Sequence, residues 1–194
     1  MRHNLELSGV AFRLRPISDA DAAFVLELRT NPALSRYLHS ASSDLDGQLR
    51  WFAEYYERSG DYYFVVERLN SGRSEGLISV YDIDPRANSG IWGRWLIRPD
   101  SLAAVESAWL IYRCSFERLS LDSVRSQTVA DNSTVVSFHD SCGITERRLL
   151  PGHFRLNGEL KDAIEHKVTR AAWNVIGPKL QRLVELTARK VRRG

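Results

Sequence analysis

Apolar and polar residues alternate along Val10-Ala-Phe-Arg-Leu-Arg, the period-2 pattern of a half-buried strand, and Pro16 stops it. Ser18-Asp-Ala-Asp follows as an N-cap with acids in the first turn, and the apolar spacing from Ala22 carries a helix to about Arg29. Asn31-Pro32 breaks it, and a short second helix is expected to hold Leu34, Tyr37 and Leu38. Ser42 or Ser43 is the expected cap of a third helix reaching about Arg58, with Leu45, Leu49, Phe52 and Tyr56 on its apolar face. Three strands come next, at 62–67, 76–82 and 90–97. The turns between them, at Asn70-Ser-Gly and 85–89, predict an antiparallel meander.

The second half turns helical again. Pro99-Asp-Ser introduces a long helix over about 102–119, followed by a strand at 124–129. A short helix from Asn132 to about Cys142 ends at Gly143, where a left-handed cap is expected. Strands from Ile144 and over 162–168 follow. Gly177-Pro178 then reads as the start of a last helix running to Val191. The pattern predicts one α/β (α+β) domain over 1–175, with a basic helical extension over 176–194.

Composition narrows the class. The 194 residues suit one domain with a real core, and 43% hydrophobic with 26% charged residues is a globular balance, not a disordered one. The net charge of +3 is unevenly placed. Lys179, Arg182, Arg189, Lys190, Arg192 and Arg193 stand against Glu185 alone, so the rest of the chain is mildly acidic. A basic tail on an acidic body argues against a nucleic-acid-binding surface. Cys114 and Cys142 are too few for a disulfide framework and fit no metal spacing, so buried free thiols are expected. The N-terminus lacks a signal-peptide core, and no run approaches the roughly 20 apolar residues of a membrane span. A cytoplasmic protein with no metal is expected.

Three stretches carry a family likeness: Phe12-Arg-Leu-Arg-Pro-Ile-Ser-Asp-Ala-Asp, Val129-Ala-Asp-Asn-Ser through Gly143-Ile144, and Ala163-Ile-Glu-His-Lys-Val-Thr-Arg-Ala-Ala-Trp. Together with the order of elements they resemble the GNAT (GCN5-related N-acetyltransferase) superfamily over about 10–175. The nearest branch in appearance is the bacterial group of ribosomal-protein alanine and nucleotide-amino-sugar acetyltransferases. The resemblance implies a mixed, mostly antiparallel sheet flanked by helices and transfer of an acetyl group from acetyl-coenzyme A to a primary amine.

Site residues follow from the same resemblance. Leu96, Ile97 and Arg98 would offer strand-edge amides to the coenzyme, and Ser101, Ala103 and Ala104 would line its phosphate loop. This loop departs from the family in having no glycine, and Asp100 and Glu106 bring acids near it. Asn132 would contact the pantetheine arm as well as cap its helix. His139 stands where the family commonly has a tyrosine aimed at the sulfur, and is the expected catalytic acid. Trp92, Arg94 and Tyr63, with Tyr55, Tyr56, Tyr62 and Trp95 nearby, would form the acceptor groove and favour a nucleotide-linked amino sugar. Asp82, Asp84 and Glu67 end strands and declare no general base. A protein N-terminal acetyltransferase and a non-catalytic binding protein of this fold are the alternatives. A homodimer is compatible with the tail helix, as is docking on its own domain or resting on an anionic membrane.

Overall fold

The structure is a computed structural model, and it describes residues 2–38 and 44–192. Eight strands form one sheet in the order β1-β2-β3-β4-β5-β6-β8-β7. They are β1 (Leu7–Ser8), β2 (Phe12–Pro16), β3 (Tyr62–Arg68), β4 (Ser74–Asp84), β5 (Ser89–Ile97), β6 (Ser123–Val129), β7 (Arg147–Leu156) and β8 (Glu159–Thr169). Every pairing is antiparallel except β5 with β6. The expected meander is therefore present, and the crossover to β6 is made by the long helix.

Among the described residues six α-helices cover the sheet: α1 (Ala22–Thr30), α2 (Pro32–Ser35), α3 (Leu45–Tyr56), α4 (Ala104–Arg113), α5 (Ser133–Ser141) and α6 (Arg170–Val191). Strand alternation sends its side chains to two cores. Phe12, Leu14, Phe64, Val66, Ile78, Val80 and Trp92 pack on one face against Leu110, Ile111 and Tyr112 of α4 and Trp173, Leu180 and Val184 of α6. Tyr63, Val65, Leu77 and Leu96 pack on the other against Val25 and Leu28 of α1 and Phe52 and Tyr55 of α3.

Local signals explain most boundaries. Asp21 accepts from the Ser18 amide at 2.9 Å, opening the 3-10 turn that leads into α1. Asn31 caps α2 through Ala33 at 2.9 Å, but α2 ends at Ser35, so Tyr37 and Leu38 lie beyond it rather than within it. The expected caps Ser42 and Ser43 lie outside the described residues, and Asp44 caps α3 by accepting from Gly47 at 2.7 Å. The buried face of α3 is Gln48, Phe52 and Tyr55, while Leu45 and Leu49 are exposed. The apolar stripe of the sequence thus missed by one position, because an aromatic pocket, not hydropathy alone, chose the inward face. The long helix ends as α4 at Arg113 and continues as a π-turn over Cys114–Arg118. Asn132 caps α5, and Gly143 closes it at φ +81°, the left-handed conformation a glycine takes freely. Both cysteines are buried and free.

The last helix does not begin at Pro178. It begins at Arg170, capped by Thr169, and Pro178 lies inside it. An interior proline costs about 3 kcal/mol in an isolated helix. Here Trp173, Ile176, Leu180, Val184, Ala188 and Val191 all enter the main core, and that packing overrides the local signal. Arg170 pins the first turn by donating to the carbonyls of Phe116 (2.9 Å) and Leu121 (2.7 Å). Arg192 reaches the Val10 carbonyl at 3.2 Å from the far end. The division expected at residue 175 falls within this continuous helix. No helix among the described residues is long and apolar enough to cross a membrane.

Candidate active site

The parallel pairing of β5 with β6 covers only Ser89↔Ser123, Gly90↔Val124 and Ile91↔Arg125. Beyond it the strands part. A bulge on β5 accompanies the parting: Gly93 pairs with Ser79 and Leu96 with Leu77, so Arg94 and Trp95 together oppose Ile78. Arg94 sits there at φ +49°. A cavity of about 850 Å³ opens between the separated strands and runs to α1, α3 and α5. It holds Tyr63, Trp92, Arg94, Leu96, Asn132 and His139 among its walls, which brings together six of the residues expected at the site. Ile97, Arg98, Ser101, Ala103 and Ala104 are not on those walls; they form the end of β5 and the approach to α4.

The bulge divides the cavity chemically. On one side Arg94 donates to both carboxylate oxygens of buried Asp61, at 2.6 and 2.9 Å, and its guanidinium lies 4.4 Å from the Tyr81 ring centre. Trp51 and Tyr63 stand at 5.6 and 5.5 Å from the same group. Burial pushes the Tyr63 hydroxyl up to about 12, so it stays protonated. Arg29, Arg50 and Arg58 line this side as well, and Glu54 is the only carboxylate on the cavity wall among the described residues. Trp51, Tyr81, Asp61 and the three additional arginines were not singled out from sequence. Asp61 lies 33 positions from Arg94, and no local pattern links them.

On the other side His139 is buried, its ring 5.3 Å from that of Trp92 and 4.6 Å from that of His166. Burial, and secondly the neighbouring His166, push its pKa down to about 3, so it is a neutral imidazole at neutral pH. Its Nε2 lies 3.4 Å from Ser126 Oγ, a hydroxyl on the cavity wall, and its Nδ1 has no partner among the described residues. An imidazolium acid does not fit this setting; a hydrogen-bonding imidazole does. Behind it, His166 Nε2 approaches Asp140 at 3.3 Å, and Asp140 pairs with Arg147 at 2.6 Å.

The glycine-free loop has a consistent electrostatic account. Asp100 turns to Arg73 at 2.8 Å, which holds its carboxyl below the usual range. Glu106 points the opposite way, into the turn before β2, where it accepts from the amides of Val10, Ala11 and Phe12. Its burial pushes its pKa up, and the three amides oppose that shift. Ala103 precedes α4 without any side-chain cap, so the first amides of the helix stay available to an anion. The expected acids therefore do not face outward together at the helix start.

Residues 12–145 match the family model described as an acetyltransferase (GNAT) domain. The chain belongs to the GNAT acetyltransferase family. Among solved structures, the nucleotide-linked sugar GNAT FdhC is 25% identical at a TM-score of 0.77, covering 93% of this chain and 98% of that one. A GCN5-related N-acetyltransferase from Brucella melitensis is 16% identical at 0.80 (93% and 85%). A point mutant of the spermidine N-acetyltransferase SpeG from Vibrio cholerae is 19% identical at 0.74 (85% and 97%). No curated protein matches the sequence. The GNAT assignment makes the chain an acetyl-coenzyme A-dependent N-acetyltransferase, and the mixed, mostly antiparallel sheet is the fold expected of one. Acetyl-coenzyme A is the co-substrate of such enzymes, and the open edge of β5 with the uncapped start of α4 fits its extended arm and its phosphates.

Proposed function

We propose that this GNAT enzyme acetylates the primary amine of a small molecule that carries negative charge, with a nucleotide-linked amino sugar as the best match. The observation behind this is the acceptor side of the cavity. Arg29, Arg50, Arg58 and Arg94 stand there against Glu54 on the wall and Asp61 behind Arg94. Such an excess of positive charge favours phosphate groups and disfavours a polycation such as spermidine. Trp51, Tyr63 and Tyr81 supply ring faces suited to a sugar or a base.

The same charge bears on the chemistry. An amine attacks only when neutral, and a cationic surrounding lowers the pKa of an incoming ammonium. The site thereby needs no dedicated carboxylate base. In this reading Leu96 to Arg98 and the start of α4 hold the coenzyme, Asn132 meets its arm, and Trp92, Arg94 and Tyr63 shape the acceptor side. As the C–N bond forms and the C–S bond breaks, the Ser126 hydroxyl, steadied by neutral His139, donates a hydrogen bond to the departing thiolate, which takes up the proton shed by the amine nitrogen.

Steady-state release of coenzyme A tests the proposal, with nucleotide-linked amino sugars set beside spermidine. Turnover of the sugars with none of spermidine is expected. Preference for spermidine over every sugar overturns it. His139→Ala and Ser126→Ala should each lower kcat by about 10-fold or more with acetyl-coenzyme A affinity nearly unchanged.

A further inference from the structure

A second cavity, about 550 Å³, lies at the end of β5 and β6 where the two strands remain paired. Ser89 and Ser123 are register partners there and both line it. Arg125, two residues along β6, is the register partner of Lys167 on β8, so two cations meet across adjacent strands. Like charges placed directly opposite in a sheet repel each other. Two carboxylates on the same wall, Glu146 and Glu165, offset part of this charge, and each is shared with other groups. Glu165 takes Arg148 at 2.9 Å and Gln127 at 2.9 Å, and Glu146 lies 3.5 Å from Lys167. Arg147, also on the wall, is held by Asp140 at 2.6 Å. The Nε of Arg125 is buried without a hydrogen-bond partner among the described residues.

We infer that this cavity is an oxyanion site, separate from the catalytic cavity, that takes a phosphate group between Arg125 and Lys167. Arg125, Arg147, Arg148 and Lys167 stand against Glu146 and Glu165 on its wall, with Ser89 and Ser123 beside them, and this net positive charge with hydroxyl-bearing neighbours suits a tetrahedral oxyanion. An anion there completes the neutralisation that Glu146 and Glu165 begin and gives the buried Arg125 Nε an acceptor. Free phosphate and the phosphate of a nucleotide present the same chemistry to this site.

Calorimetric titration with inorganic phosphate, and in a second arm with a nucleoside diphosphate, tests this at constant ionic strength set by chloride. Saturating coenzyme A fills the donor side of the first cavity in both arms, and dependence on Arg125 separates the second cavity from the acceptor side of the first. Saturable phosphate binding is expected, weakened about tenfold or more in Arg125→Gln and in Lys167→Gln and largely kept in Arg125→Lys. Tighter binding of the diphosphate with the same dependence on Arg125 assigns the site to nucleotide phosphates. Both glutamine variants should keep acetyl transfer within about twofold in phosphate-free buffer, which also shows that they fold. No saturable binding by either ligand, or binding indifferent to Arg125→Gln in a folded variant, overturns the inference. This outcome is independent of the acceptor assays.

Discussion

The two ends of the β5–β6 pair show how one ladder is made to do opposite things. At the paired end three register pairs hold the strands together, and the side chains above them meet as Ser89 with Ser123 and Arg125 with Lys167. At the open end β5 carries an extra residue at Arg94 and no longer pairs with β6, and the gap holds the candidate catalytic cavity. The difference teaches that the candidate active site lies where the sheet carries a defect, and that an ion pair sits at that defect. Arg94 is turned into a left-handed backbone conformation, and its guanidinium is clamped by Asp61. Backbone strain of this kind persists where surrounding contacts over-determine it.

The contrast can be broken most severely at that clamp. Asp61→Asn or Arg94→Ala should cost about 3 kcal/mol in urea unfolding, since each leaves a largely buried charge without its partner. Acceptor turnover should fall with it; unchanged stability means that the bulge is held by something other than the ion pair. Closing the opposite edge of β5 comes next. A methyl group at Gly76 would lie inside contact distance of the Leu96 carbonyl oxygen, which is backbone and cannot swing away. Gly76→Ala should therefore cost about 2 kcal/mol and lower acetyl-coenzyme A affinity by shifting Leu96.

Acid sharpens the comparison from the donor side. His139 has a folded pKa of about 3 against 6.5 when unfolded, so the unfolded chain binds the proton more readily. The stability from this group is present in full above about pH 6.5 and is lost as pH falls from there toward 3. The slope approaches about 1.4 kcal/mol per pH unit, and unfolding curves over the mildly acidic range should show it. His139→Gln should flatten that slope; an unchanged slope places the acid sensitivity elsewhere. His166, whose pKa is also lowered by burial, contributes in the same direction. The smallest effect is expected just past the end of β5, where Arg98 pairs with Glu27 at 2.6 Å, Glu27 being half exposed. Glu27→Gln should change stability by about 0.5 kcal/mol, measured by the same denaturation.

Much of the fold was legible because its signals are local. Alternation marked β2 through β6, Asn132 and Gly143 bracketed α5, and Ser18 with its acids marked the entry to α1. The errors have one cause in common. Pro178 reads as a helix start, the α3 stripe reads one position off, and Tyr37 and Leu38 read as helical. In each, contacts from distant parts of the chain outweigh propensities of a few tenths of a kcal/mol to a few kcal/mol. The candidate site divides in the same way. Asn132 and His139 were found by family spacing, Leu96 as an expected strand edge, and Tyr63, Trp92 and Arg94 as aromatic and basic residues near the expected groove, and all six line one cavity. Trp51, Tyr81, Ser126 and Asp61 carry no such spacing.

What the sequence determined by itself is the order of elements, the family and the types of residue available to the site. These rest on periodicity, caps and turn residues, whose free energies are set by neighbours a few positions away. Tertiary structure alone decided what those residues are. It made His139 a neutral imidazole by burying it beside His166, turned Glu106 and Asp100 away from one another, and joined Asp61 to Arg94 across 33 residues. Charge state and partnership depend on dielectric and distance in three dimensions, and neither quantity is written in the local order of a chain.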